Sequence, residues 1–263
     1  MNNSDIKNLE KLHHKKYRDE FNKFLIEGIH LIEECLRSDI YREMLETIFV
    51  REDFENESAI EKIKNSNHSA GIEILDDRKF SRLSETVNSQ GIIGLVSRPD
   101  LSLHNEKIKT DKSNKIVVAI DNISDPGNLG TIIRTCHWFG ADELIISKNS
   151  VDVFNSKVIR ASQGSLFFLK IRNELNLERE IESYRNDQYN ILLSHLSAEE
   201  NLSELKLSNS ENYLIVFGNE ANGISNSISE NKNYRKFRIN GYSECESLNA
   251  AVAAGIVLFE FRK

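Results

Sequence analysis

The sequence predicts an α/β protein of two domains, and three observations carry that prediction. Apolar runs of strand length alternate with polar stretches of helical length along the 263-residue chain. Both prolines stand at punctuation points, Pro99 just behind an apolar run and Pro126 in a turn-rich segment. Between residues 100 and 114 the apolar periodicity stops and Lys, Ser, Asn and Asp take over, which reads as a linker. The expected domains are therefore 1–99 and 115–263.

In the first domain the runs at 24–26, 47–50, 72–75 and 92–96 are expected strands, with helices over 29–37 and 59–65 between them. In the second, the expected strands are 115–120, 143–146, 166–169, 189–193, 213–217 and 236–239. Several are apolar throughout, as strands covered on both faces are, so a mostly parallel sheet with helices on each side is predicted. Trp138 and Phe139 are expected in its core.

Lys plus Arg is 34 and Asp plus Glu is 41, a formal net charge of -7. That balance speaks against a broad basic coat for nucleic acid. No stretch approaches the roughly 20 apolar residues that span a bilayer. Residues 1–16 are polar and basic, which predicts neither a secretory signal nor an anchor. Cys35, Cys136 and Cys245 lack Cys-x-x-Cys spacing, so they are expected as small buried residues in a reducing cytoplasm. The histidines show no metal-binding spacing, and no metal is expected.

Three segments offer chemistry. Asp121-Asn-Ile-Ser-Asp-Pro-Gly-Asn-Leu-Gly-Thr-Ile-Ile-Arg-Thr135 follows a predicted strand and opens a helix. It is an anion-binding layout or simply a tight βα connection with Arg134 on a solvated face. Val216-Phe-Gly-Asn-Glu-Ala-Asn-Gly-Ile-Ser225 ends another strand in a turn, with Ser225 placed as a helix cap. Two such turns at strand carboxyl ends favour a binding site over two plain turns. In Arg238-Ile-Asn-Gly-Tyr-Ser-Glu-Cys-Glu-Ser-Leu-Asn249, Ser247 can cap the final helix. The alanines that follow are expected to pack, while Ser247 and Asn249 have polar groups for a ligand.

In this order, the three segments resemble the motifs of the SpoU/TrmH-type RNA ribose 2'-O-methyltransferases of the SPOUT superfamily. Residues 157–167 are similar to the same family, and residues 16–30 resemble the opening of its ribosomal-protein-like substrate-binding domain. The resemblance implies a small α/β RNA-binding domain followed by an α/β trefoil-knot methyltransferase domain that works as a homodimer. S-adenosylmethionine is the implied cofactor and rRNA or tRNA the implied partner. Carried onto matching positions, cofactor contacts fall on Leu196, Gly218, Asn219, Glu220, Ile239, Leu248 and Asn249. Arg134 falls at the reactive hydroxyl, with Asn128, Glu220, Ser247 and Asn249 around it. Where the family often has Ile-Pro-Met, this chain has Ile239-Asn-Gly241.

Arg134 matches the arginine assigned as general base, yet a guanidinium with a pKa above roughly 12 stays protonated. Its expected task is to hold the ribose-phosphate and stabilise the developing alkoxide, the proton leaving through phosphate or water. Glu220 either serves as base or orients its turn. Rival readings are a base-methylating enzyme of the same superfamily and an RNA-binding protein without catalysis. The basic residues cluster locally. Lys7, Lys11, Lys15, Lys16, Arg18 and Lys23 lie near the start, Lys107, Lys109, Lys112 and Lys115 in and beside the linker, Lys157 and Arg160 further on, and Arg235, Lys236 and Arg238 before the third motif. RNA contact is expected from Lys15, Lys16, Arg18, Arg134 and Arg160.

Overall fold

The computed structural model describes residues 1–66, 69–99 and 114–263. Apart from Asn114, the expected linker lies outside them, with Lys107, Lys109 and Lys112. Contacts divide the chain into two units, Met1–Asp100 with Phe154–Phe168, and Leu101–Val153 with Leu169–Lys263.

The first unit holds β1 (Lys23–Glu27), β2 (Leu45–Arg51), β3 (Gly71–Leu75) and β4 (Ile92–Ser97), at the four expected apolar runs. The order is β1-β4-β2-β3, with β4 antiparallel to β1 and β2, and β3 parallel to β2. Its helices are α1 (Asn3–Glu10), α2 (Lys15–Phe21), α3 (Ile29–Arg37), α4 (Tyr41–Met44), α5 (Glu57–Asn65) and α6 (Asp77–Leu83). Ile6 of α1 and Phe80 of α6 are fully buried with Phe49 and Ile93 against one face of the sheet. Each such side chain contributes about 1.5–3 kcal/mol by leaving water.

The second unit is a six-stranded, wholly parallel sheet of order β10-β8-β9-β5-β6-β7. The strands are β5 (Ile116–Ile120), β6 (Glu143–Ser147), β7 (Ile171–Leu175), β8 (Asn190–Ser194), β9 (Tyr213–Phe217) and β10 (Arg235–Phe237). All five residues of β5, β6 and β9 are buried, the mark of strands covered on both faces. Its helices are α7 (Pro126–Trp138), α9 (Leu177–Asn186), α10 (Asn226–Ser229) and α11 (Ala250–Phe261), while α8 (Ser156–Ser162), between β6 and β7 in the chain, groups with the first unit. Asp125 caps α7 by accepting from the Asn128 amide at 2.7 Å, with Pro126 in the first turn, where its missing N–H costs nothing. Helix α11 runs alongside α7, and Arg262 behind it donates to the carbonyl oxygens of Phe139 (2.8 Å) and Gly140.

Three expectations are corrected. Residues 166–169 form no strand: Ser165–Phe167 is a 3-10 turn behind α8, and the strand is β7. The reason is aromatic packing within the first unit, where Phe154 lies 4.7 Å from Phe24, Phe167 lies 5.0 Å from Tyr41, and the Ser38 hydroxyl donates to the Phe167 carbonyl at 2.7 Å. In space, residues 154–168 cluster with the first unit. Trp138 is 82% exposed because it ends α7 off the helix face that buries Leu129, Ile132, Ile133 and Cys136. Cys35 and Cys136 are buried, and burial pushes the Cys35 thiol up to about 12, but Cys245 is exposed.

Candidate active site

In open parallel sheets a ligand sits outside the carboxyl ends of the strands. Here the ends of β8 and β9, the segment after β10 and the opening of α11 enclose a cavity of about 560 Å³. Leu196, Gly218, Asn219, Glu220, Ile239, Ser247 and Leu248 all line it. His195, Arg238 and Tyr242, which motif matching did not select for the cofactor site, line it too. Partial burial, with a smaller effect of Lys236's charge, lowers the His195 pKa. An imidazole already neutral near pH 7 becomes more firmly so.

The turn after β9 is built by hydrogen bonds. Asn219 N donates to the Gly223 carbonyl and Gly223 N to the Asn219 carbonyl, both at 2.9 Å. Gly223 holds a φ of +68°, which a side chain disfavours. The Asn219 side-chain oxygen accepts from the amides of Ala221 (2.9 Å) and Asn222 (3.0 Å), and its amide nitrogen donates to the Asn122 carbonyl at 2.7 Å. Asp121, only 3% exposed, accepts from the Ser225 amide at 2.7 Å and from the Asn122 side chain at 2.8 Å. Asp121 and Asn122 thus lash the first motif to the second. Motif reading passed over both, and their one sequence signal is a polar pair set at the carboxyl end of an apolar strand. Ser225 starts α10 but its hydroxyl makes no cap.

The three motifs meet in one relay of side chains. The Asn249 side-chain nitrogen donates to Asn128 Oδ1 at 2.7 Å, and Asn128 Nδ2 donates to Glu220 Oε1 at 2.7 Å. Asn249 Oδ1 accepts from the amides of Ala251 (2.9 Å) and Val252 (3.3 Å), so Asn249, and not Ser247, caps α11. Its amide is oriented from both sides. Glu220 is exposed, and its Oε2 makes no hydrogen bond among the described residues. The relay therefore presents one fixed carboxylate oxygen at the cavity rim.

Arg134 does not line this cavity. Six residues beyond Asn128 on α7, it sits about 9 Å further along the axis and about a third of a turn around. It is exposed beside exposed Thr131 and Trp138. Lys15 and Lys16 are exposed on α2 in the first unit, and Arg160 of α8 belongs to that unit also. Arg18 is corrected: it is 4% exposed, its Nη1 donating to the carbonyls of Leu12 (2.8 Å) and His13 (2.9 Å), so it fastens the turn before α2 and offers no surface charge. Among the described residues no group of three His, Cys, Asp or Glu is placed to hold a metal, and no helix is long and apolar enough to cross a membrane.

Comparison with known proteins gives this arrangement its context. Residues 3–94 match the MRM3-like substrate binding domain. The chain is 32% identical to the 23S rRNA (guanosine(2553)-2'-O)-methyltransferase RlmP of Bacillus subtilis over 99% of this chain and 96% of that protein. It is 31% identical to the mitochondrial rRNA methyltransferase 3 of Homo sapiens over 62% of this chain and 38% of that protein. The structure of AdoMet-bound rRNA methyltransferase from Sinorhizobium meliloti superposes with a TM-score of 0.82 at 27% identity, covering 99% of this chain and 94% of that one. Residues 115–259, which carry the whole cavity and its relay, match the SpoU rRNA Methylase family, and the chain belongs to that family.

Proposed function

We propose that the chain transfers a methyl group from S-adenosylmethionine to a ribose 2'-hydroxyl of 23S rRNA, acting as a cytoplasmic homodimer. The observation that carries this reading is the Asn249–Asn128–Glu220 relay, which joins residues of all three motifs at the rim of one cavity. The likeness to RlmP over nearly the full length of both chains supports the substrate. The cavity suits the cofactor: its volume is that of a site for a ligand of this size, and Leu196, Ile239 and Leu248 offer apolar walls for an adenine. At Gly218 the absence of a side chain lets the backbone of Gly223 and Ile224 close over the turn that lines the cavity. S-adenosylmethionine supplies an electrophilic methyl on a sulfonium.

The chain's own residues then have two tasks. Glu220, held through Oε1, offers Oε2 to the ribose hydroxyl and fixes its direction, and the hydroxyl proton released on methyl transfer leaves through phosphate or water. Arg134 supplies a positive fork for the ribose-phosphate and for charge growing on the attacking oxygen. Because Arg134 stands outside its own chain's cavity, it serves the cavity of the second copy. Support for that pairing lies on α7 and α11, where exposed Trp138, Val252, Ile256 and Phe259 present large apolar side chains. The trefoil knot belongs to the same reading. It is supported by the chain behind β10 running beside the loop behind β8, with Leu202 N donating to the Arg238 carbonyl at 2.8 Å.

The test is a map of 2'-O-methyl groups in 23S rRNA from cells with and without the gene. One site should vanish on deletion, with the position matching the RlmP target read first, and return with the wild-type gene but not with Arg134→Ala. An unchanged map would contradict the proposal.

A further inference from the structure

Three basic side chains lead into the third motif, and the structure separates them. Arg235 is committed to Glu200, its Nε donating to Oε2 at 2.6 Å and its Nη2 to Oε1. Lys236 is half-buried. Arg238 lines the cavity.

Arg238 is fixed twice. Its backbone N donates to the Glu200 carbonyl at 2.9 Å and its carbonyl accepts from Leu202 N at 2.8 Å, a parallel bridge to Asn201. Its Nε donates to Asn201 Oδ1 at 3.1 Å. Asn201 is held in turn, its backbone N donating to Glu204 Oε2 at 2.9 Å. The nearby acids are therefore occupied, Glu200 by Arg235 and Glu204 by Asn201. Hydrogen bonds from Asn201 hold the Glu204 carboxyl below its usual range, with only a minor contribution from Arg238. Among the described residues neither Nη of Arg238 has a hydrogen bond or an ion pair. A guanidinium can grip an oxyanion through either of two edges. A neutral amide holds the Nε edge here, so this cavity-lining residue keeps its end-on Nη pair available to an oxyanion, with the guanidinium's orientation set beforehand.

We propose that Arg238 is the oxyanion anchor of this cavity, its Nη pair taking two oxygens of a carboxylate or a phosphodiester. The proposal rests on the reading that the cavity holds S-adenosylmethionine beside RNA, since the methionyl carboxylate and the RNA backbone are the two sources of that chemistry.

The experiment compares full-length wild type, Arg238→Gln, Arg238→Lys and Asn201→Ala. Each is titrated with S-adenosylhomocysteine, with decarboxylated S-adenosylmethionine, and with protein-free 23S rRNA at several salt concentrations. Arg238→Gln should weaken one anionic ligand by about ten- to a hundredfold. If the carboxylate is the ligand, S-adenosylhomocysteine loses affinity and the decarboxylated probe does not. If a phosphodiester is the ligand, both small probes bind as before, RNA weakens, and the slope of log affinity against log salt falls by about one. Arg238→Lys, a charge without the fork, should recover only part of the loss. Asn201→Ala should weaken the same ligand less severely with the charge intact, an effect of aiming. Lys15→Glu with Lys16→Glu is the reference for RNA contact made elsewhere, and should lower RNA affinity with S-adenosylhomocysteine unaffected. Arg238→Gln that binds every probe as wild type does, with the same salt slope, overturns the anchor. So does equal weakening of all three probes. Wild type that binds no S-adenosylhomocysteine overturns the functional reading instead, and the RNA titration then decides the anchor.

Discussion

Gly218→Ala is expected to weaken S-adenosylhomocysteine binding by about ten- to a hundredfold, and Gly241→Ala to leave it within about twofold. Both glycines line the same cavity, so the contrast isolates the physical cause. A Cβ on Gly218 would stand within 2.5 Å of the Gly223 carbonyl group and of the Ile224 nitrogen. Those are backbone atoms of the turn that closes on Asn219, and no rotamer change can move them aside. Overpacking of this kind costs about 1–3 kcal/mol where neighbours can yield, and here the turn itself must open. A Cβ on Gly241 meets nothing within 4 Å. Isothermal titration of both variants is the check; equal affinities would show that the turn behind β9 does not shape the site.

The second large effect belongs to Arg134. Arg134→Lys should lower turnover by about a hundredfold or more, since an ammonium is a point charge and cannot grip ribose-phosphate with two parallel donors. Its affinity for S-adenosylhomocysteine should stay at the wild-type value, because Arg134 does not line the cavity. Mixed dimers make the argument sharper. In a dimer of one Arg134→Lys subunit and one Glu220→Ala subunit, each inactive with its own kind, the intact cavity of the first meets the intact Arg134 of the second. Such dimers should recover about half the wild-type turnover, one site of two. Mixed dimers as inactive as either parent would place Arg134 in its own chain's site, and near-normal turnover of Arg134→Lys alone would remove it from the chemistry.

The central strands of the second unit were legible because parallel strands covered on both faces must be apolar throughout, as β5, β6 and β9 are. At the sheet edge this rule fails. β7 carries Arg172 and Glu174, and its buried guanidinium is accommodated by Glu143 of β6 and Glu180 of α9, partners that only the fold brings to it. The more apolar run at 166–169 misleads, since its aromatic Phe167 packs against Tyr41 within the first unit. Leu196, Gly218, Asn219, Glu220, Ile239 and Leu248 of the cavity were legible from motif order, a local property, while Asn249, carried to the cofactor with them, caps α11 and does not line the cavity. What was not legible depends on long-range geometry. Arg18 sits in a basic stretch, and only the fold turns it inward onto two carbonyls. Asn249 outcompetes Ser247 as the cap of α11, although Ser247 has the hydroxyl that capping rules favour. Trp138 looks like a core residue by type, but it stands exposed at the end of α7.

The most direct measurement of the central claim uses the purified protein, 23S rRNA prepared without modifications, and S-adenosylmethionine labelled in its methyl group. After the reaction the RNA is digested to nucleosides and the labelled species are separated by mass. Methyl transfer to a ribose 2'-hydroxyl, oriented by Glu220 and stabilised by Arg134, predicts label in a single 2'-O-methylated nucleoside. Label in a base-methylated nucleoside, or no transfer by protein that binds S-adenosylhomocysteine, would contradict the account.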